Sequence, residues 1–377
     1  MRRIPITSKI EGIAIRYAQE MEGTATFKQS ESPKEKLLTL SENLKKPSTS
    51  IRILKCKACK GHPAVYNHYK GNTFTALSNY VKAIYDHYDG LNSLLPSEYH
   101  QEIGQYVDGT MTGYKVNEIN VKLRRKRYVP FFKLVVEAMR YDKVQRDIMP
   151  KYIKEMGIKT CSYCNAQFAT TASLQEIKYA PKGKFTVKTI NASCYELDHN
   201  KAKSLYPYLC TNFYNLQPSC SSCNRRKNNR ELNFSLYYEM GETNIKPVHF
   251  ALDSVDIIRF RATNNGMGIK PYICNSGTNV PPVLSDNTSL AGKLNHMLGI
   301  QGVYNEHEDI VEEILWKHKI YSEGYMTAAE NQLKLLRIAG FDLKRFVLGG
   351  YYTNVDDFLK RPLSILKNDL WEQLERG

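Results

Sequence analysis

Two pairs of cysteines have the spacing of a metal site. Cys161 and Cys164 form one Cys-x-x-Cys pair, and Cys220 and Cys223 form the other. Two intervening residues let both thiolates of a pair reach one ion, and two such pairs complete a tetrahedron. Four thiolates leave no open coordination position, so we predict a structural Zn²⁺ that clamps the ends of the intervening segment. The alternative is that these cysteines are free buried thiols.

Polar residues of a different chemistry lie between and just after these pairs. They are, in chain order, Asp198, His199, Asn215, Asn224 and Lys227. Carboxylate and amide oxygens bind Mg²⁺ or Mn²⁺, and an imidazole titrates near neutral pH. The Asp, His and Asn therefore suit a second metal ion that takes part in catalysis, a combination typical of a metal-dependent nuclease.

The segments that carry these residues have a fixed order: CxxC, then ELDHNKAKS, NLQ and CSSCNRRK. Together they resemble the HNH endonuclease family, whose core is a ββα-metal hairpin and helix. The resemblance runs from Cys161 to about Asn229, with ELDHNKAKS as the first strand, NLQ as the central Asn and CSSCNRRK as the helix start. The chain differs from many relatives in having Ala202 in place of a proline, and Asn224 rather than His at the last motif position.

The resemblance implies a role for each residue. His199 is the expected general base, and Asp198 and Asn224 are the expected ligands of the catalytic Mg²⁺ or Mn²⁺. Asn215 is expected either to orient His199 or to hold a turn. Lys227 and the two arginines before it are expected either to contact phosphates or to form a solvated helix face. Because neighbouring strand residues point to opposite faces, a twist or a strand end must bring Asp198 and His199 to one site.

A more specific likeness extends through the whole run from DHNKAKS to CNRRKNN. This run is similar to the HNH proteins of bacterial anti-phage systems, including the partner nucleases of retron and Septu-type ATPases. The resemblance implies cleavage of DNA in defence against phage, under the control of an ATPase or another regulatory partner. RNA as the substrate remains an alternative. A second alternative is a zinc-dependent nucleic-acid-binding or scaffold protein with an inactive nuclease core.

Composition is consistent with a nucleic-acid partner. The 377 residues are 42% hydrophobic and 24% charged, as in ordinary globular proteins, but the formal net charge is +15. A positive surplus of this size favours a polyanion, because each Lys or Arg that neutralises a phosphate releases a counterion. No run of eighteen apolar residues occurs, so we expect no membrane contact. Close cysteine pairs that bind metal indicate a reducing compartment, and we expect a cytoplasmic protein.

The pattern along the chain predicts an α+β protein in which the zinc-stabilised nuclease core, residues 151–240, lies between two mainly helical regions, 1–150 and 241–377. The first region would serve recognition or partner docking. Pro130 and Pro150 are expected to begin and end one helix. The run KGKFTVKTINASCYELDH, residues 182–199, predicts strands with Lys182-Gly183 as a turn, and the run DSVDIIRFRAT predicts a strand.

Two further clusters allow two interpretations each. Cys56, Cys59, His62 and His68 could bind a second zinc ion or could form a lysine-flanked loop with unremarkable thiols. The basic run Val121 to Tyr128 could follow a DNA backbone or could be a solvated face before the next helix.

Overall fold

The computed structural model describes residues 1–23, 25–45, 51–56, 72–110, 115–123, 128–179, 181, 184–243, 245–283, 285–338, 340–349 and 357–376. Within these ranges helices mix with small sheets, which confirms the predicted α+β class. Most of the second cysteine-histidine cluster (Cys59, His62, His68), the side chain of Cys56, basic residues 124–127 and the Lys182-Gly183 turn lie outside the described residues.

The N-terminal region is mainly helical and carries one three-stranded antiparallel sheet, in the order β2-β3-β4. Its first helix is capped by Thr7, whose side chain accepts a hydrogen bond from the backbone of Ile10. The elements are β1 Ile4–Pro5, α1 Ser8–Glu22, α2 Pro33–Lys45, β2 Ile51–Cys56, α3 Asn72–Asp86, α4 Tyr88–Leu91, α5 Gln105–Thr110, β3 Ile119–Leu123, β4 Tyr128–Pro130, α6 Phe131–Ala138, α7 Tyr141–Lys143 and α8 Met149–Met156.

Two antiparallel strand pairs and one short helix form the central region. A long two-stranded ribbon comes first, and a shorter pair followed by a helix comes next. The elements are β5 Thr171–Tyr179, β6 Phe185–Ser193, β7 Glu196–His199, β8 Leu216–Ser219, α9 Ser221–Lys227 and β9 Tyr237–Tyr238. Strand β9 pairs in parallel with β1, so the end of the central region lies beside the start of the N-terminal region.

The C-terminal region has one antiparallel strand pair and is otherwise helical. Its elements are β10 Val248–Ala251, α10 Ser254–Thr263, β11 Tyr272–Asn275, α11 Leu290–Lys293, α12 Ile300–Asn305, α13 Glu308–Ile320, α14 Glu323–Leu335, α15 Leu343–Leu348 and α16 Ser364–Arg376.

Two local expectations are wrong. Pro150 does not end the helix that starts after Pro130: it lies in the first turn of α8, directly after a π-helical turn at Val144–Ile148. The earlier helix is instead interrupted at Arg140, which adopts a left-handed conformation. The run DSVDIIRFRAT forms α10 rather than a strand, because the Asp253 side chain caps its N-terminus by accepting from the Val255 backbone.

Contacts from both outer regions position the central one. The buried hydroxyl of Tyr17 on α1 donates to the Thr211 carbonyl at 2.6 Å, which ties α1 to the connection between β7 and β8. On the other side, the hydroxyl of Tyr304 on α12 donates to the Cys164 carbonyl. One continuous hydrophobic core includes side chains from all three regions, so the site described next is supported on two sides.

Candidate active site

The strands β7 and β8 and the helix α9 form a compact ββα unit. The strands pair antiparallel, with Asp198 opposite Gln217 and His199 opposite Leu216. Strand β7 ends at His199, and a sixteen-residue connection (200–215) leads to β8. A strand end is one of the two conditions predicted for bringing Asp198 and His199 to one site. Helix α9 begins two residues after β8, with Cys220 as its N-cap.

The four cysteines of the two pairs meet beside this unit. The sulfur atoms of Cys161, Cys164, Cys220 and Cys223 all lie within 4.8 Å of one another. Sulfurs arranged around zinc at about 2.3 Å are roughly 3.8 Å apart, so the cluster has the size and the ligand chemistry of a tetrahedral zinc site. Hydrogen bonds from the other three thiols lower the pKa of the half-buried Cys220. The four cysteines can therefore hold a metal ion such as zinc, and they join the start of the central region to α9.

His199 is buried and held by the connection that follows it. Its Nε2 lies 3.0 Å from the Cys210 carbonyl oxygen, so the neutral ring donates from Nε2 and keeps Nδ1 as its free lone pair. The ring of Tyr141 packs against it with centroids 4.8 Å apart. Burial, assisted by the nearby Lys203, lowers the pKa of His199 to about 3. The imidazole is therefore neutral at physiological pH, the state in which its free nitrogen can accept a proton.

Asp198 lies at the centre of a buried polar group. Its Oδ2 is 2.9 Å from the Lys227 ammonium and also accepts from the Tyr163 hydroxyl. The same ammonium donates to the His199 carbonyl at 2.9 Å, and Lys227 is only 1% exposed. Burial raises the pKa of Asp198, although Lys227 and Tyr163 act in the opposite direction. Lys227 therefore does not belong to a solvated helix face, which was one of its two predicted roles.

Asn224 is oriented by a carboxylate that the sequence did not single out. Its Nδ2 donates to Glu196 Oε2, so the amide oxygen is the atom that stays available to a ligand. Glu196 lies two residues before Asp198 on β7 and so shares a strand face with it. The face of β7 that carries Asp198 is thus the face next to α9, and two carboxylates and one amide converge there.

Asn215 holds the connection rather than the histidine itself. Its Oδ1 accepts from the Lys201 backbone N–H at 2.6 Å, and its Nδ2 donates to the carbonyls of Lys201 and Leu209 at 3.1 and 2.8 Å. Leu209 immediately precedes Cys210, whose carbonyl accepts from His199. These contacts agree with the predicted role of holding a turn. Asn215 makes no hydrogen bond to the His199 ring within the described part of the chain, so it can influence the orientation of that ring only through residues 201–210.

An open cleft of about 420 Å³ lies against the buried Asp198 and His199. Lys203 lies on its wall, with its ammonium 4.5 Å from the centre of the Tyr141 ring, and burial lowers the pKa of this lysine. Arg225 is exposed at the rim. Arg226 turns away and donates to the Leu298 carbonyl at 2.8 Å, so it anchors the C-terminal region to α9. The cleft is lined by Leu197, Asp198, His199, Ala202, Lys203, Asn224, Arg225, Asn228 and Asn229.

Four neighbours of the predicted residues were missed by the sequence reasoning. Tyr163, Glu196 and Lys203 had local signals: they lie inside a Cys-x-x-Cys pair, two residues before Asp198, and four residues after His199. Gln217 is the fourth. It is fully buried opposite Asp198, and neither polar atom of its side chain has a hydrogen-bond partner among the described residues. Unused hydrogen-bonding capacity therefore remains directly across the strand pair from Asp198.

Comparison with protein-family models, characterised proteins and solved structures gave no match. What the site does must therefore follow from its residues and their geometry. Within the described parts of the chain, no helix combines the length and the apolar character needed to cross a membrane.

Proposed function

We propose that this protein is a metal-dependent HNH endonuclease that hydrolyses phosphodiester bonds in DNA. The observation that carries the proposal is the convergence of Asp198, His199 and Asn224 on one open cleft of a ββα unit. The four-cysteine cluster beside the unit supports it further, because both cysteine pairs lie within the run that resembles the HNH family and a bound zinc ion would clamp the ends of that run.

In the proposed reaction, His199 removes a proton from water through its free Nδ1. The resulting hydroxide attacks phosphorus, and the bond from phosphorus to the 3′-oxygen breaks. The departing 3′-oxyanion takes a proton from solvent water, which leaves a 5′-phosphate and a 3′-hydroxyl. The Cys210 carbonyl fixes the tautomer that makes Nδ1 the basic atom, and Tyr141 limits rotation of the ring.

Asp198 and Asn224 are the residues that would hold the divalent ion. When bound, Mg²⁺ or Mn²⁺ supplies charge stabilisation for the pentavalent phosphorus and for the departing oxyanion. Lys227 lies against Asp198 and can balance its charge, and Lys203 and Arg225 on the cleft wall and rim suit the flanking phosphates.

We also propose that cutting serves anti-phage defence and depends on a controlling partner, either an ATPase or another regulatory protein. The sequence likeness to the HNH proteins of such systems supports this role, and so does the harm that an unrestrained nuclease would cause its host. Purified protein that degrades DNA at full rate on its own would show that no partner is needed.

The test of the nuclease is relaxation of supercoiled plasmid by the full chain, with Mg²⁺ or Mn²⁺ titrated and with His199→Ala as the comparison. Zinc content and circular dichroism of both proteins must match, so that loss of the fold is excluded. Metal-dependent nicking that disappears in His199→Ala would support the proposal. A folded RNA incubated with the protein under the same conditions tests whether the same core cleaves RNA.

Binding of nucleic acid without cleavage is the second candidate. The observation that favours it is the buried ion pair between Lys227 and Asp198, because the lysine occupies a carboxylate oxygen that a metal ion would use. A protein of this second kind binds DNA in a gel-shift assay yet leaves it intact at every Mg²⁺ and Mn²⁺ concentration.

A further inference from the structure

The ribbon formed by β5 and β6 projects from the candidate nuclease unit. Its strands pair without a bulge from Thr171↔Ser193 to Tyr179↔Phe185. Nine residues per strand at about 3.4 Å each give a length of roughly 30 Å. Most of its side chains beyond the base are exposed, so the ribbon has no covering layer within the described part of the chain.

The base of the ribbon is fixed to the rest of the protein. The Lys154 ammonium of α8 donates to the Ser173 hydroxyl at 2.6 Å, and that hydroxyl donates to Asn191 Oδ1 on the opposite strand. The hydroxyls of Thr171 and Tyr195 are 2.9 Å apart. Strand β7 begins three residues after β6 ends, so the base of the ribbon is joined by a short connection to the strand that carries Asp198 and His199.

One face of the distal half is apolar. The cross-strand pairs Ile177↔Val187 and Tyr179↔Phe185 share this face, because directly opposite residues point the same way. Their exposed fractions are 48% and 51% for the first pair and 80% and 60% for the second. Four adjacent apolar side chains exposed to this extent indicate a binding surface rather than scattered surface residues.

The charge of the ribbon indicates the partner. Residues 171–193 contain four lysines and one glutamate, and the whole chain carries +15. Lys178 and Lys188 are exposed and lie on the face opposite to the apolar one, where Glu176 lies 3.6 Å from the Lys178 ammonium and leaves that face a net positive charge. A second copy of the chain would bring two positive ribbons together, whereas a nucleic acid would neutralise them. Charge complementarity therefore favours a polyanion over self-association.

We propose that the ribbon lies along the minor groove of duplex DNA and inserts Tyr179 and Phe185 between base steps. Apolar side chains that enter the minor groove unstack base steps and kink the duplex. The lysines of the opposite face are long enough to reach the phosphates at the groove walls. This proposal rests on the proposed function for the identity of its partner, and it adds a second contact outside the cleft.

The test measures binding rather than cleavage. Fluorescence anisotropy with a labelled 30-base-pair DNA, without added divalent metal, compares wild type with Tyr179→Thr/Phe185→Thr. Threonine keeps the strand propensity while it removes both rings. Leu174→Thr is the control for a general surface effect, because Leu174 is 48% exposed on the opposite face of the same strand. Zinc content and circular dichroism verify that every variant is folded.

We expect the double variant to bind at least about tenfold more weakly, since it loses the stacking of two aromatic rings on bases. Leu174→Thr should stay within about twofold of wild type. Energy transfer between dyes on the two ends of the DNA should report a bend with wild type and none with the double variant. Lys178→Gln/Lys188→Gln should reduce the slope of log affinity against log salt by about 1 per lysine.

Three results would overturn the proposal. The first is equal binding by wild type and the double variant, including the absence of binding by both. The second is a wild-type dimer, measured by light scattering, that the double variant abolishes while DNA binding is unchanged. The third is that wild type binds duplex RNA as tightly as DNA and that the double variant loses the same affinity for both. Failure of the nuclease proposal is distinguishable, because His199→Ala tests cleavage and the ribbon variants test affinity.

Discussion

Replacing Asn215 with alanine tests whether the connection between β7 and β8 positions the general base. The side chain is fully buried and makes three hydrogen bonds: one from the Lys201 N–H, and one each to the carbonyls of Lys201 and Leu209. At about 1 kcal/mol for each bond, the variant should lose about 3 kcal/mol of unfolding free energy. Most of the protein should still be folded at 25 °C, because domains are typically stable by 5–15 kcal/mol.

The second expected effect is on activity. The Leu209 carbonyl precedes Cys210, and the Cys210 carbonyl holds Nε2 of His199. Once residues 201–210 are loosened, the imidazole should sample orientations in which Nδ1 no longer faces the attacking water. Loss of a group that orients a ligand or a base typically costs 10–100-fold, so we expect a nicking rate lower by about that factor.

Urea unfolding followed by circular dichroism gives the stability, and nicking of supercoiled plasmid at saturating Mg²⁺ gives the activity. The control is Ser41→Ala/Ser78→Ala. Both serines are buried where α2 meets α3, far along the chain from the connection, and each donates to the other's carbonyl, at 3.1 and 2.9 Å. This variant should lose about 2 kcal/mol of unfolding free energy, with a smaller loss of nicking rate than Asn215→Ala. A wild-type nicking rate in Asn215→Ala, or an equal loss of rate in the two variants, would refute the reasoning.

Three other changes have expected outcomes. Cys220→Ser should lower the bound zinc below one ion per chain and reduce the melting temperature, both measured on the same preparation; full zinc content would contradict the cluster as a metal site. Tyr163→Phe removes one hydrogen bond to Asp198, so the Mg²⁺ concentration for half-maximal nicking should rise several-fold at near-wild-type zinc content, and an unchanged metal dependence would exclude this positioning role. Burial lowers the pKa of the folded-state His199 to about 3, whereas the unfolded chain protonates this residue near pH 6.5. The free energy of unfolding is therefore unaffected by His199 above pH 6.5 and falls by up to about 1.4 kcal/mol per pH unit below it. Between pH 7.5 and 5.5, wild type should therefore lose more unfolding free energy in urea than His199→Asn, and equal losses would show that the ring is solvated.

Elements coded by short-range patterns could be predicted from the sequence. The α+β class, the strands before Asp198 and the helix that begins after Cys220 follow from turn signals and from alternation over a few residues. The run DSVDIIRFRAT could not be assigned from its β-branched residues, because one capping carboxylate, Asp253, outweighs their strand propensity.

The support of the candidate site was harder to predict, because it comes from distant parts of the chain. The ring of Tyr141 lies against His199 although 58 positions separate them in sequence. The carbonyl that holds the histidine is a backbone atom of Cys210, and no side-chain pattern encodes a backbone atom. Lys227 is basic and lies in a basic run, yet it is buried against Asp198, because pairing with a carboxylate offsets the cost of burying its charge.

The most direct test of the central claim is the single-turnover nicking rate of supercoiled plasmid in Mg²⁺ or Mn²⁺, measured for wild type and for His199→Ala at equal zinc content. The nuclease proposal predicts metal-dependent nicks with 5′-phosphate and 3′-hydroxyl ends, and a rate at least about 100-fold lower in the variant, as expected for loss of a general base. Equal rates in the two proteins would contradict the assignment of His199. Intact plasmid with both, in every metal and with the regulatory partner present, would contradict the assignment of the protein as a nuclease.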